Sequence, residues 1–91
     1  MDKTIWDKEL NLKTQGIFGC VWQMEDYNEV LKTLLAENKV ILGGDILILK
    51  DGKYTYESSS WYYNGNSSVD SNMTAKEYLS SFKLAPNKMT L

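Results

Sequence analysis

Histidine and arginine are absent from this 91-residue chain, cysteine and proline occur once each, and no apolar run is long enough to span a bilayer. Each absence removes a class of function. Without histidine there is no Ser-His-Asp triad, no Cys-His pair and no imidazole ligand for a metal. Without arginine, and with a formal net charge of −2, the chain lacks the basic face that nucleic-acid binding needs. One cysteine excludes an intramolecular disulfide and fits a reducing compartment. Cys20 stands in the apolar setting Phe18-Gly19-Cys20-Val21 with no nearby base, which favours packing over a nucleophile. A membrane helix needs about 20 apolar residues, and none is expected here. The first eight residues are charged and lack the apolar core of a signal peptide, so the expected location is cytoplasmic.

What is present is ordinary for a globular protein: 43% hydrophobic and 24% charged residues. A chain this short makes one domain, 1–91, that buries roughly 60–65% of its unfolded surface. Its charge is uneven. Residues 1–45 carry five Lys against eight acids, whereas residues 46–91 carry five Lys against four.

The chain is organised around Val40-Ile41-Leu42-Gly43-Gly44-Asp45-Ile46-Leu47-Ile48-Leu49. A run of this length and composition, closed by Lys50-Asp51-Gly52, reads as a buried strand over about 39–50. Two glycines would cost a helix about 2 kcal/mol. In a strand they suggest a bulge or the close approach of another backbone. Asp51-Gly52 is the strongest hairpin dipeptide, and it joins Leu47-Ile48-Leu49 to Tyr54-Thr55-Tyr56. Ser58-Ser59-Ser60 should break that hairpin, leaving Trp61-Tyr62-Tyr63 as a possible third strand.

Helical signals flank the sheet. Tyr27, Val30, Leu31, Leu34 and Leu35 form an apolar stripe, with Asp26 as N-cap, Glu29 three residues on and Asn38 as a stop, which predicts a helix over about 26–37. Thr74-Ala75-Lys76-Glu77 reads as a capping box that opens a helix over about 74–84, ahead of Pro86. Residues 4–11 fit a short helix, although Leu10-Asn11-Leu12 fits an extended segment equally well. Gly16 suits a left-handed stop, and Ile17 to Trp22 suits a strand or a packed connector. The segment 64–72 reads as an exposed polar loop, and 87–91 as a frayed tail. These elements make an α+β fold, an antiparallel sheet of two to three strands packed with two to three helices. The core sets Leu31, Leu34 and Leu35 against Ile46 and Ile48 or against Leu47 and Leu49. Either parity is apolar, so both faces of the central strand are expected to be covered.

Little of this is catalytic. Gly43-Gly44-Asp45 lacks the Lys-Ser/Thr and the helix of a phosphate loop. No cofactor or metal site is read in the chain. Asp45 interrupts an apolar strand, so its carboxylate must reach the surface, cap a backbone amide or pair with Lys, and its role is either structural hydrogen bonding or direct binding. Tyr54, Tyr56, Trp61, Tyr62 and Tyr63 are compatible with cross-strand packing and with a protein-binding face alike.

Taken together, Gly16-Ile17, Val21-Trp22, Glu25-Asp26 with Val30-Leu31, Ile41-Leu42-Gly43-Gly44-Asp45 and Trp61-Tyr62 resemble the immunity protein 40 family of bacterial polymorphic-toxin systems. The resemblance covers about 16–63, with Val21 where alanine is expected before the Trp. It implies a non-enzymatic cytoplasmic protein that neutralises one cognate toxin domain, as in contact-dependent growth inhibition. On that premise the mechanism expected is stoichiometric occlusion. Asp45, Glu57 and Asp70 would meet basic toxin residues, and Trp61, Tyr62 and Tyr63 would serve as anchors. The alternative is a regulatory module that binds a small molecule or peptide on the same aromatic face.

Overall fold

Residues 4–91 are described by a computed structural model. The elements in chain order are α1 (Ile5–Lys8), β1 (Cys20–Trp22), α2 (Tyr27–Ala36), β2 (Gly43–Lys50), β3 (Lys53–Tyr62), α3 (Ser68–Leu79) and β4 (Asn87–Thr90). Short 3-10 turns lie at Lys13–Gln15 and Met24–Asp26. The α+β expectation holds, with three helices and four strands among the described residues. All strand pairs are antiparallel, in the order β1-β4-β2-β3.

Local chemistry explains the clearest elements. Asp51 and Gly52 both take positive φ, 53° and 78°, as a two-residue turn matched to strand twist requires. Asn38 (φ 56°) ends α2 in the left-handed conformation, and Gly16 (φ 78°) does the same for the first 3-10 turn. The expected break at Ser58–Ser60 does not occur. β3 runs on through Tyr62, and the serines are absorbed where the register slips between Asp45↔Ser60 and Leu47↔Tyr56. Residues 57–59 then oppose Ile46 alone, an irregularity that an edge strand tolerates. Gly43-Gly44 answers to close approach. A Cβ on Gly44 would run into the Trp61 indole and the Lys88 carbonyl, and one on Gly43 into the Trp61 carbonyl.

The sheet has two cores of unequal size. Against α2 and α3 pack Trp22, Ile41, Ile46, Trp61 and Met89, meeting Val30, Leu31, Leu34, Ala75 and Leu79. Trp22 Nε1 donates to the Ile5 carbonyl at 2.7 Å, which ties α1 to this layer. On the opposite face Leu12, Ile17, Val21 and Leu47 form a smaller cluster, joined by Leu10 and Tyr54. Both parities of the central strand are therefore covered, but only at Ile46 and Leu47; Ile48 and Leu49 are exposed. Leu35, expected in the core, is 37% exposed at the edge of its stripe.

Three expectations need correction. The first helix spans four residues, not 4–11, because Leu10 leaves it to bridge Val21 at the outer side of β1. The last helix starts at Ser68, not Thr74, and stops at Leu79, not at 84. Ser67 caps it by accepting from the Asp70 amide at 3.1 Å, so most of the expected 64–72 loop is helix. The polar residues there are buried with partners: Ser71 Oγ accepts from the Ile41 amide at 3.0 Å, and Asn72 Nδ2 donates to the Leu31 carbonyl at 2.6 Å. Finally, residues 87–90 are no frayed tail. β4 lies between β1 and β2 with Asn87 and Met89 buried, because it fills a gap that would otherwise leave β1 without a sheet neighbour and one edge of β2 open.

Candidate functional site

Strand alternation sends Gly44, Ile46, Trp61 and Met89 toward the helices, and Asp45, Ser60, Tyr62, Lys88 and Thr90 to the other face. Residues 10–17 cover that outer face only over Val21, Leu47 and Tyr54. The rest is open, and it is the candidate site. At its centre Asp45 is in register with Lys88 on one side and Ser60 on the other. One step along, Gly43 lies between Thr90 and Tyr62, whose side chain is 86% exposed. Beyond Lys88 a cleft of about 440 Å³ is lined by Phe18, Cys20, Met89 and Thr90.

The electrostatics at this site are unusual. Lys88 is the natural cross-strand partner of Asp45, yet its ammonium donates to the Tyr56 hydroxyl at 3.3 Å and lies 5.5 Å from that ring's centroid. Among the described residues no ion pair or hydrogen bond engages the Asp45 carboxylate, although the residue is half-buried. A carboxylate so placed holds unused acceptor capacity at the middle of a sheet face. Of the roles open to Asp45, bonding to a backbone amide is therefore not the one seen.

The other expected site residues are dispersed. Trp61 is 6% exposed, its ring centroid 5.1 Å from that of Tyr78, and its Nε1 has no hydrogen-bond partner. The Tyr63 hydroxyl accepts from the Ser67 amide at 3.1 Å, steadying the turn into α3. Asp70 is exposed in the first turn of α3, where the helix dipole favours negative charge. Glu57 sits at the register slip, with Oε1 accepting from the Ser58 amide at 3.0 Å and hydroxyl at 3.1 Å. Asp45 and Tyr62 thus share one surface, and the remaining four do not join it.

Lys88 and Phe18 belong to the site but escaped the sequence reading. The alternation of Asn87-Lys88-Met89-Thr90 was the only signal for Lys88, and four residues behind a proline are weak support for a strand. Cys20, at the rim of the cleft, is no activated nucleophile, since burial first and then the charge of Glu9 raise its thiol above the ordinary value. Among the described residues no group of three or more Cys, Asp or Glu side chains is placed to hold a metal ion, and no helix is long and apolar enough to cross a membrane.

A protein-family model described as Immunity protein 40 matches residues 11–91, from the segment that covers the small core through β4. No curated protein and no solved structure matches the chain.

Proposed function

This chain belongs to the immunity protein 40 family, and from that premise we propose that it is a non-enzymatic cytoplasmic inhibitor that occludes a cognate bacterial toxin domain through the open half of its sheet. The unengaged carboxylate of Asp45 carries this reading. It is half-buried and unengaged, so a Lys or Arg presented by the toxin gains a charge-assisted hydrogen bond there. Tyr62 beside it offers a large, amphipathic ring of the kind that anchors protein interfaces. Lys88, held by Tyr56, leaves the acid free to face outward.

The other charges act at longer range. Glu57 and Asp70 belong to a mildly acidic surface, net −2 over the chain, that attracts a basic partner and favours encounter. Trp61 and Tyr63 serve from behind. Trp61 fills the space left by Gly44, and Tyr63 fixes the turn that follows Tyr62.

The test uses the C-terminal domain of the reading frame immediately upstream. Co-expression should rescue growth, and titration should give a 1:1 complex. Asp45→Lys, which places two like charges in register at 45 and 88, should weaken that complex about 100-fold or more. An unchanged affinity would remove the sheet face from the mechanism. A harmless upstream domain would remove that pairing altogether.

A further inference from the structure

The two edges of the sheet are finished differently. β1 is three residues long, and the Leu10 amide caps its outer side by donating to the Val21 carbonyl at 2.7 Å. β3 is ten residues long and pairs only with β2 among the described residues. A long open edge is a template for another strand. Regular pairing with β2 covers Lys53-Tyr54-Thr55-Tyr56, and Glu57, the first residue of the register slip, completes the pentapeptide Lys53-Tyr54-Thr55-Tyr56-Glu57 along this edge.

That pentapeptide is self-complementary. Turned antiparallel on itself about Thr55, it sets Lys53 opposite Glu57 twice, Tyr54 opposite Tyr56 twice, and Thr55 opposite Thr55. Opposite charges, aromatic pairs and threonine pairs are the combinations that stabilise facing positions of antiparallel strands. The backbone parity agrees. Lys50 and Lys53 flank a two-residue turn and so bond each other, which directs the amides and carbonyls of Tyr54 and Tyr56 away from β2. The Tyr54 amide does point outward, donating to Gln15 Oε1 at 2.7 Å. In the self-paired register, Tyr54 of each copy exchanges two main-chain hydrogen bonds with Tyr56 of the other. The exposed apolar residues Ile48, Leu49 and Tyr56 crowd this same end of the hairpin.

We propose that β3 pairs with β3 of a second copy about Thr55, joining two four-stranded sheets into one of eight. The Gln15 side chain is a removable cap on the edge and swings off the Tyr54 amide when the second copy docks. This assembly does not depend on the toxin reading, and it leaves Asp45 and Tyr62 on the open face. The interface is small, so association belongs in the range of about 10 μM to 1 mM.

Sedimentation equilibrium of the full chain alone, without toxin, tests the proposal. The mass should rise with concentration from 10.4 kDa toward twice that value. Glu57→Lys and Lys53→Glu should each weaken association roughly tenfold, by setting like charges opposite each other. The double swap K53E/E57K should restore it, which misfolding would not produce; the two single changes move the net charge in opposite directions, so weakening by both is not a net-charge effect. Gln15→Ala should tighten association several-fold, since the Tyr54 amide no longer has a competitor. A chain that stays at 10.4 kDa throughout, or a dimer indifferent to both single charge changes, overturns the proposal. A double swap that fails to rescue overturns the register.

Discussion

Trp61 and Tyr62 are consecutive residues of one strand on opposite faces of the sheet. The indole of Trp61 lies over Gly44 and beside Tyr78, inside a core that α2 and α3 close. Tyr62, one residue on, stands in solvent beside Gly43. The helix-covered face is closed by two helices over Trp22, Ile46, Trp61 and Met89, and opens only toward Ile48 at the hairpin end. The outer face has only the 10–17 segment, which reaches Val21 and Leu47 and stops short of Asp45. On the function proposed above, a sheet covered on one side and half-covered on the other divides its labour, with stability on the first face and recognition on the remaining strip of the second.

That division can be broken from either side. Trp61→Ala should have the largest effect, about 4 kcal/mol of stability by urea unfolding, since it empties a site between Gly44 and Tyr78 that no neighbour can fill. Tyr62→Ala should do the reverse. Its unfolding free energy should change by less than about 0.5 kcal/mol, while toxin affinity falls by about 2 kcal/mol in calorimetric titration. If both tyrosine effects are small, recognition lies elsewhere. Asn72→Ala sharpens the picture within the stable face. It removes the 2.6 Å bond between α3 and the Leu31 carbonyl of α2 and should cost about 1–2 kcal/mol without touching affinity.

The smallest expected effect concerns Cys20. Its pKa is raised in the folded state by burial and by Glu9, so the folded chain holds the proton more tightly than the unfolded one. That contribution is complete below the ordinary thiol pKa and is lost as pH rises through the raised value. Stability should therefore sag slightly in alkaline buffer, and Cys20→Ala should flatten the sag. Alkylation near neutral pH should be slower than for a free thiol.

The difference between the faces was only partly legible in the residues. Ile46 and Leu47 could be read as core on opposite sides because both parities of 46–49 are apolar, and that ambiguity correctly implied cover on both faces. Where the cover ends could not be read, since it depends on how far the 10–17 segment reaches. The polar stretch 64–72 misled for a related reason. Ser71 and Asn72 look like loop residues, but the Ile41 amide and the Leu31 carbonyl meet them inside the fold. A buried polar residue is recognisable only once its partner, 30 or 41 residues away, is known.

By itself the sequence determined the features that need only a few consecutive residues. These are the Asp51-Gly52 hairpin, the α2 stripe with its Asn38 stop, the glycines that admit another backbone, and the absence of histidine and arginine. The tertiary structure decided what requires distant segments to meet. It put β4 between β1 and β2, with Asn87 Nδ2 3.4 Å from the Trp22 carbonyl across 65 positions. It thereby placed Lys88 beside Asp45, turned that lysine to Tyr56, and left the carboxylate open. The physical reason is range. Turn and helix chemistry act between neighbours, whereas the insertion of a strand is driven by the unpaired backbone of two partners that the inserted segment does not itself encode.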